Sequence, residues 1–179
     1  MTDAPGSTGS ISGLLLLFGG PAGAGKSTLA RVWCATRERA VHIQLDEVRE
    51  LIVSGRADPQ EPGDLQGEQY WLSVRASLAL ARAFLEAGYD VALDDVLLPP
   101  DFDVGWRPLL DGLSWRMVIV LPSLEQTLAR SQQRAKRVYE RHTRDQHAGS
   151  TGWSAEHRID TTGLSIDDSL ALVRRVTGT

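Results

Sequence analysis

Cysteine occurs once in this 179-residue chain, at Cys34, so neither a disulfide framework nor a cysteine-built metal centre can be assembled from it. Its place within an apolar helical pattern predicts a buried thiol rather than a reactive one. No apolar run approaches the ~20 residues that a membrane span requires, which leaves no membrane partner to expect. Positive charge is also short. Lys and Arg total 19 against 23 Asp and Glu, a net charge of −4, which argues against a protein that coats nucleic acid. Residues 1–12 lack both the basic and the apolar part of a signal peptide and are rich in Gly, Ser and Thr. They are expected to form a disordered N-terminal tail, and the protein to be cytoplasmic. The four histidines, His42, His142, His147 and His157, show no metal-ligand spacing backed by neighbouring acids and are expected at the surface. Internal repeats are absent.

What is present is concentrated in one stretch. Gly20-Pro21-Ala22-Gly23-Ala24-Gly25-Lys26-Ser27 satisfies G-x-x-x-x-G-K-[ST] and follows directly on the apolar run 14–18. Glycines let successive backbone N–H groups turn inward around a phosphate with no Cβ in the way. Lys26 extends a cation to the β/γ-phosphates, and the Ser27 hydroxyl can join the shell of Mg²⁺. The helix starting here adds its positive end to the same anion. Gly20, Ala22, Gly23, Ala24, Gly25, Lys26, Ser27 and Thr28 are therefore the predicted nucleotide-phosphate site.

Composition bounds the rest. A 42% hydrophobic and 23% charged chain of this length suits one soluble globular domain, here residues 13–179. Five short apolar runs, 14–18, 41–45, 91–93, 117–121 and a weaker one at 158–159, alternate with helical patterns, which predicts an α/β fold with a mostly parallel sheet. Their near-continuous apolar character is what strands covered on both faces require. Leu29, Val32 and Trp33 fall at helical spacing behind the glycine loop. Trp71, Val74, Leu78, Ala81 and Leu85 step by 3, 4, 3 and 4 and predict an amphipathic helix stopped by Gly88. Ser123 with Gln126, and Ser165 with Asp168, are predicted helix caps. Two segments fit neither period, the polar stretch 54–67 and the cation-dense stretch 130–158. The second holds seven of the 19 Lys and Arg, for a local balance of +4. Both are expected to be mobile flaps over a site, the second a lid.

The carboxylates close to the glycine loop carry the rest of the chemistry. Asp46 ends the second apolar run, at the strand edge where ligands of open α/β sheets collect, and Arg49 follows one helical turn later. Asp46 can accept the proton of an attacking hydroxyl while Arg49 orients the acceptor; the alternative is an ordinary helix-start acid with a solvated arginine. Asp94 and Asp95 end the third run. Adjacent strand residues point to opposite faces, so one of them, Asp94, is expected to hold the metal's water shell beside Ser27, leaving Asp95 to face the acceptor or close the strand. Tyr70 can line an acceptor pocket, whereas Trp71 belongs to the core stripe. Arg130, Arg134 and Arg137 lie at 4 and 3 spacing, so one helical face can present three guanidinium groups to the charge that develops in phosphoryl transfer; a solvated charged face reads the same. Asp160 and Thr161, in the turn after the last run, can flank an adenine ring or form a plain strand-to-helix loop.

On these residues the chain resembles the P-loop kinases of the nucleoside-monophosphate-kinase group, and within it the chloramphenicol phosphotransferase-like proteins. The matching stretches are 19–28, the Asp46 segment, and the run from Tyr70-Trp71 through Gly88 to Asp94-Asp95-Val96-Leu97, with the Asp160-Thr161-Thr162 turn also similar. The resemblance implies a three-layer P-loop NTPase fold with a five-stranded sheet flanked by helices and a mobile lid. It implies ATP-dependent phosphorylation of a small-molecule hydroxyl, on a metabolite or an antibiotic, with ATP and Mg²⁺ and with Asp46 as base. Asp46-x-x-Arg49 is also similar to the Asp-x-x-Arg element of polynucleotide 5′-kinases and zeta-toxin-like kinases, which keeps a nucleotide or nucleic-acid 5′-hydroxyl open as acceptor. The chain departs from the antibiotic kinases at 54–67 and after Arg130, the segments that choose the substrate. A third reading is a nucleotide-binding regulatory module without transfer, though no Asn-Lys-x-Asp guanine signature is present.

Overall fold

The computed structural model describes residues 12–133 and 138–179. The expected tail lies outside the described residues except for Ser12, as do two of the predicted lid arginines, Arg134 and Arg137.

In chain order the elements are β1 (Leu15–Gly19), α1 (Lys26–Ala35), β2 (Ala40–Gln44), α2 (Leu45–Glu50), α3 (Asp64–Glu86) and β3 (Asp90–Asp94). Two short helices, α4 (Pro99–Asp101) and α5 (Arg107–Leu109), follow, joined by a π-helical turn at Phe102–Trp106. Then come β4 (Trp115–Val120), α6 (Leu124–Gln132), α7 (Glu140–Ser150), a 3-10 turn at Ala155–His157, β5 (Arg158–Ile159) and α8 (Ile166–Thr177). The five strands form one wholly parallel sheet in the order β2-β3-β1-β4-β5.

Burial on both faces explains the apolar runs. Leu15 and Leu17 enter the core layer beneath α3 and the π turn, while Leu16 and Phe18 enter the layer beneath α1 and α8. The same alternation continues in β3, where Val91 and Leu93 oppose Ala92, and in β4, where Met117 and Ile119 oppose Val118 and Val120. A parallel strand with helices on either side has no polar face to spare. Because all strands run the same way, the residues following β1, β2, β3, β4 and β5 meet at a single edge.

The predicted caps hold. Ser123 Oγ accepts from Gln126 N at 3.3 Å and Ser165 Oγ accepts from Asp168 N at 3.1 Å. Gly88, with φ of +79°, takes the left-handed position after α3 that a side chain would disfavour. Three differences from the sequence reading stand out. Helix α3 begins at Asp64, seven residues before the apolar stripe, because its first two turns pack beside α2 with polar residues outward. The segment 99–109, for which no element was expected, is helical, opened by Pro99 and Pro100 and carrying the fully buried Phe102 and Trp106. The expected lid 130–158 contains α7, but its C-terminal part is tied to the body. Trp153 is buried against Phe102 and donates its Nε1–H to the Leu97 carbonyl at 3.0 Å.

Candidate active site

The turn between β1 and α1 passes closely beneath α6. A Cβ at Gly23, where φ is +87°, would stand 2.4 Å from the Thr127 carbonyl of α6, so the loop can pass under α6 only with glycine there. Lys26 is buried at the first position of α1, and its Nζ donates to the Pro21 carbonyl at 2.9 Å. Thr28 and Ser27 follow on the cleft side. The Ser27 hydroxyl donates to Asp94 Oδ1 at 3.1 Å, and His42 Nε2 contacts the other carboxylate oxygen.

This arrangement fits a divalent cation of the magnesium type. The Ser27 hydroxyl and the buried Asp94 carboxylate stand side by side as oxygen donors. Among the described residues no group of three or more His, Cys, Asp and Glu could hold a metal by themselves. A cation here would take its remaining ligands from phosphates and water, as Mg²⁺ does.

Across the cleft, α2 presents Asp46, which is exposed, and Arg49, which is half-buried. The Arg49 guanidinium lies over the Tyr70 ring, 5.5 Å from its centroid, and its Nε is buried without a hydrogen-bond partner. Tyr70 donates its hydroxyl to Asp95 Oδ2 at 2.9 Å and accepts from Trp106 Nε1 at 3.1 Å. Burial pushes the Asp95 carboxyl up to about 6, with the Asp46 charge adding to the rise. The Tyr70 hydroxyl, the Val96 amide and Lys26 pull the other way. Tyr70 itself is pushed far up, by burial first and then by the Asp95 charge. The cleft has a volume of about 780 Å³ and is lined by the glycine loop at one end and by α2, α3 and Asp95 at the other.

The remaining predicted residues divide. Arg130, in the last turn of α6, lines the cleft, its Nη1 within 3.8 Å of where a Cβ on Gly25 would stand. Asp160 and Thr161 are not among the residues lining it. Asp160 Oδ1 accepts from Thr162 N at 2.8 Å, Thr162 Oγ1 accepts from Ser123 N at 2.7 Å, and the turn is thereby fastened to the start of α6. Thr161 is buried. The histidine expectation is corrected in part. His42 is 11% exposed because β2 turns it onto Asp94, and His142 lines the cleft on α7, its ring 5.7 Å from that of Tyr139.

Two contacts of this region had no signal in the sequence. Gln146 of α7 accepts the Ala22 N–H at 2.9 Å through its Oε1, so the second helix of the lid region touches the glycine loop itself. Gln60 accepts the Tyr139 N–H at 2.6 Å, bridging segment 54–67 to the start of α7. Both partners are glutamines more than 75 residues from the group they bind, a separation at which no local pattern operates.

A glycine loop leading into a lysine-bearing helix, at the carboxyl edge of a five-stranded parallel sheet with Asp94 beside Ser27, defines a three-layer α/β P-loop fold. A model of the AAA domain family matches residues 15–152, and the chain belongs to that family. The chain is similar in structure to the tunicamycin resistance protein of Deinococcus radiodurans (TM-score 0.69, 19% identity, 91% of this chain and 94% of that one). It is also similar to a sugar kinase from Janibacter sp. HTCC2649 (TM-score 0.66, 16% identity, 92% and 93%). A third likeness is to the APS kinase of Mycobacterium tuberculosis, solved with AMPPNP and APS (TM-score 0.64, 15% identity, 92% and 97%). No curated protein matches the chain.

Proposed function

We propose that the protein is an ATP-dependent phosphotransferase that moves the γ-phosphoryl group to a hydroxyl of a small molecule. The observation that carries this reading is the single cleft that holds Lys26 and the glycine loop at one end and Asp46 with Arg49 at the other. A regulatory module needs only the first half of that arrangement; the second half, walled by α2, α3 and Asp95, is the room an acceptor needs beside the phosphates.

In this mechanism the backbone of Gly20–Thr28 cradles the phosphates and Lys26 leaves the Pro21 carbonyl to meet the β/γ-phosphates. Ser27 and Asp94 would hold Mg²⁺, directly and through its water shell. When bound, the ion would supply neutralisation of phosphate charge. Asp46 accepts the proton of the acceptor hydroxyl as that oxygen bonds to the γ-phosphorus and the bond to the leaving ADP oxygen breaks. Arg49 orients the acceptor, and Arg130 adds a guanidinium near the transferring group. Two of the fold neighbours fit this reading, since one is named as a sugar kinase and one is an APS kinase solved with AMPPNP.

The test is acceptor-dependent ADP release with ATP and Mg²⁺ across a panel of hydroxyl compounds. Asp46→Asn is expected to lower kcat by about 10²–10⁴-fold while nucleotide affinity stays within about twofold. Full transfer by Asp46→Asn, or the absence of acceptor-dependent ADP release with every compound, would overturn the reading.

A further inference from the structure

The acceptor end of the cleft differs in charge from the phosphate end. Among the described residues its cations Lys26, Arg31 and Arg130 lie on α1 or beside the glycine loop. On the acceptor side, among the described residues, Asp46, Glu47, Glu50 and Asp95 line the cleft together with the guanidinium of Arg49. A phosphate- or carboxylate-bearing acceptor would enter against this excess of negative charge, which disfavours it relative to an uncharged one.

The hydrogen-bonding inventory is more specific. Asp46 and Asp95 are carboxylates that require donors, and they are near enough for the charge of one to act on the other. The buried Nε of Arg49 is a donor that requires an acceptor. A hydroxyl group satisfies both demands, because its oxygen accepts while its hydrogen donates. Asp95 is also held in place. One of its oxygens takes the Tyr70 hydroxyl, which is itself fixed by Trp106 from the π turn. A π-helical turn inside a short helix is a common device for aiming a side chain, and here it delivers Trp106 to Tyr70. Three elements thus hold one carboxylate at the cleft wall, a rigidity that closing the strand would not require.

We propose that the acceptor is a polyol without net negative charge, gripped through two neighbouring hydroxyls, the reacting one by Asp46 and the next by Asp95, with Asp95 held by Tyr70 and Trp106. This rests on the kinase reading above and names its substrate class. The reacting hydroxyl gives its proton to Asp46, its oxygen bonds to the γ-phosphorus, and ADP leaves with the electrons of the broken P–O bond. Asp95 takes no proton in the step; it sets which hydroxyl faces the phosphorus.

The experiment compares uncharged and amino-substituted polyols, their phosphorylated and carboxylated counterparts, and deoxy analogues lacking the hydroxyl next to the reacting one, each with ATP and Mg²⁺. The wild-type protein should phosphorylate the polyols and disfavour their anionic counterparts. Removing the neighbouring hydroxyl should lower kcat/KM about 10- to 100-fold. In Asp95→Asn the polyol KM should rise by a similar factor with the KM for ATP unchanged, and the deoxy analogue should then lose little further. Tyr70→Phe, which deletes one oxygen and keeps the ring, should give a smaller rise in the same direction. A general loss of structure would penalise polyol and deoxy analogue alike, and that result overturns the role of Asp95. Preferred transfer to an anionic or single-hydroxyl acceptor overturns the polyol while leaving the kinase standing. Absence of transfer to every compound overturns both.

Discussion

Lys26 stands at the point where helix and loop meet, buried yet on a side chain long enough to exchange the Pro21 carbonyl for a phosphate. Lys26→Ala should lower single-turnover transfer about 10²–10³-fold or more, because a preorganised charge aimed at the transferring group is lost. Arg130→Ala should cost less, since a half-buried arginine at the cleft rim is partly screened. Cys34 poses a different residue-scale question. Burial pushes its thiol up to about 11, with the Asp90 charge contributing. The thiol is therefore protonated at neutral pH, and alkylation at pH 8 should proceed well below the rate of a free thiol, as followed by mass spectrometry. The linkage follows from the direction of the shift. The folded state holds the proton more tightly than the unfolded chain, whose thiol titrates near 9, so this contribution to stability is complete below pH 9. It is lost as pH rises through about 11. Urea unfolding of Cys34→Ser should show a shallower loss of stability over that window.

At the scale of elements, capping and anchoring divide the structural work from the chemical. Helix α8 starts with Ser165 accepting from Asp168 N and ends at Gly178, and it covers one face of the sheet through Leu170 and Val173. Ser165→Ala should lower stability by about 1 kcal/mol in a urea titration. It should leave transfer unchanged, because α8 contributes nothing to the cleft. Helix α7 is more closely coupled to function, since Gln146 rests on Ala22 and His142 faces the cleft. Trp153 shows why the cation-dense segment is not uniformly a flap. Its indole is in the core, so any opening hinges before it. The charge pattern of 130–158 was visible in the sequence, but the anchoring of its C-terminal part through Trp153 was not.

For the whole molecule, the parallel sheet gathers the ends of β1, β2 and β3 into one cleft, so nucleotide binding should stabilise the entire domain. At an ATP·Mg²⁺ concentration 100 times Kd the gain is about 2.7 kcal/mol. For a domain of this size that corresponds to a rise in Tm of roughly 5–10 °C by calorimetry. No shift with well-folded protein would remove the nucleotide from every proposal above. Among the described residues no helix is long and apolar enough to cross a membrane.

How far the chain could be read without coordinates follows from the range of the forces involved. The strands, the α3 stripe, the caps and the glycine loop are legible because each is set by residues within a few positions of one another: two-sided burial, a 3.6-residue period, a side chain reaching its own backbone three residues on. The same locality places Lys26 and Ser27 on one turn and puts Asp46 one turn before Arg49. The meeting of His42 with Asp94 across 52 residues, of Trp106 with Tyr70 across 36, and of Gln146 with Ala22 across 124 has no such period. Those contacts are chosen by which strands pair and which helices pack, and a polar side chain that ends up buried must then find its partner there. Local chemistry alone was enough to specify a phosphate-binding turn in an α/β domain; the wall opposite it, with one carboxylate held by a tyrosine and a tryptophan, exists only once the sheet has assembled.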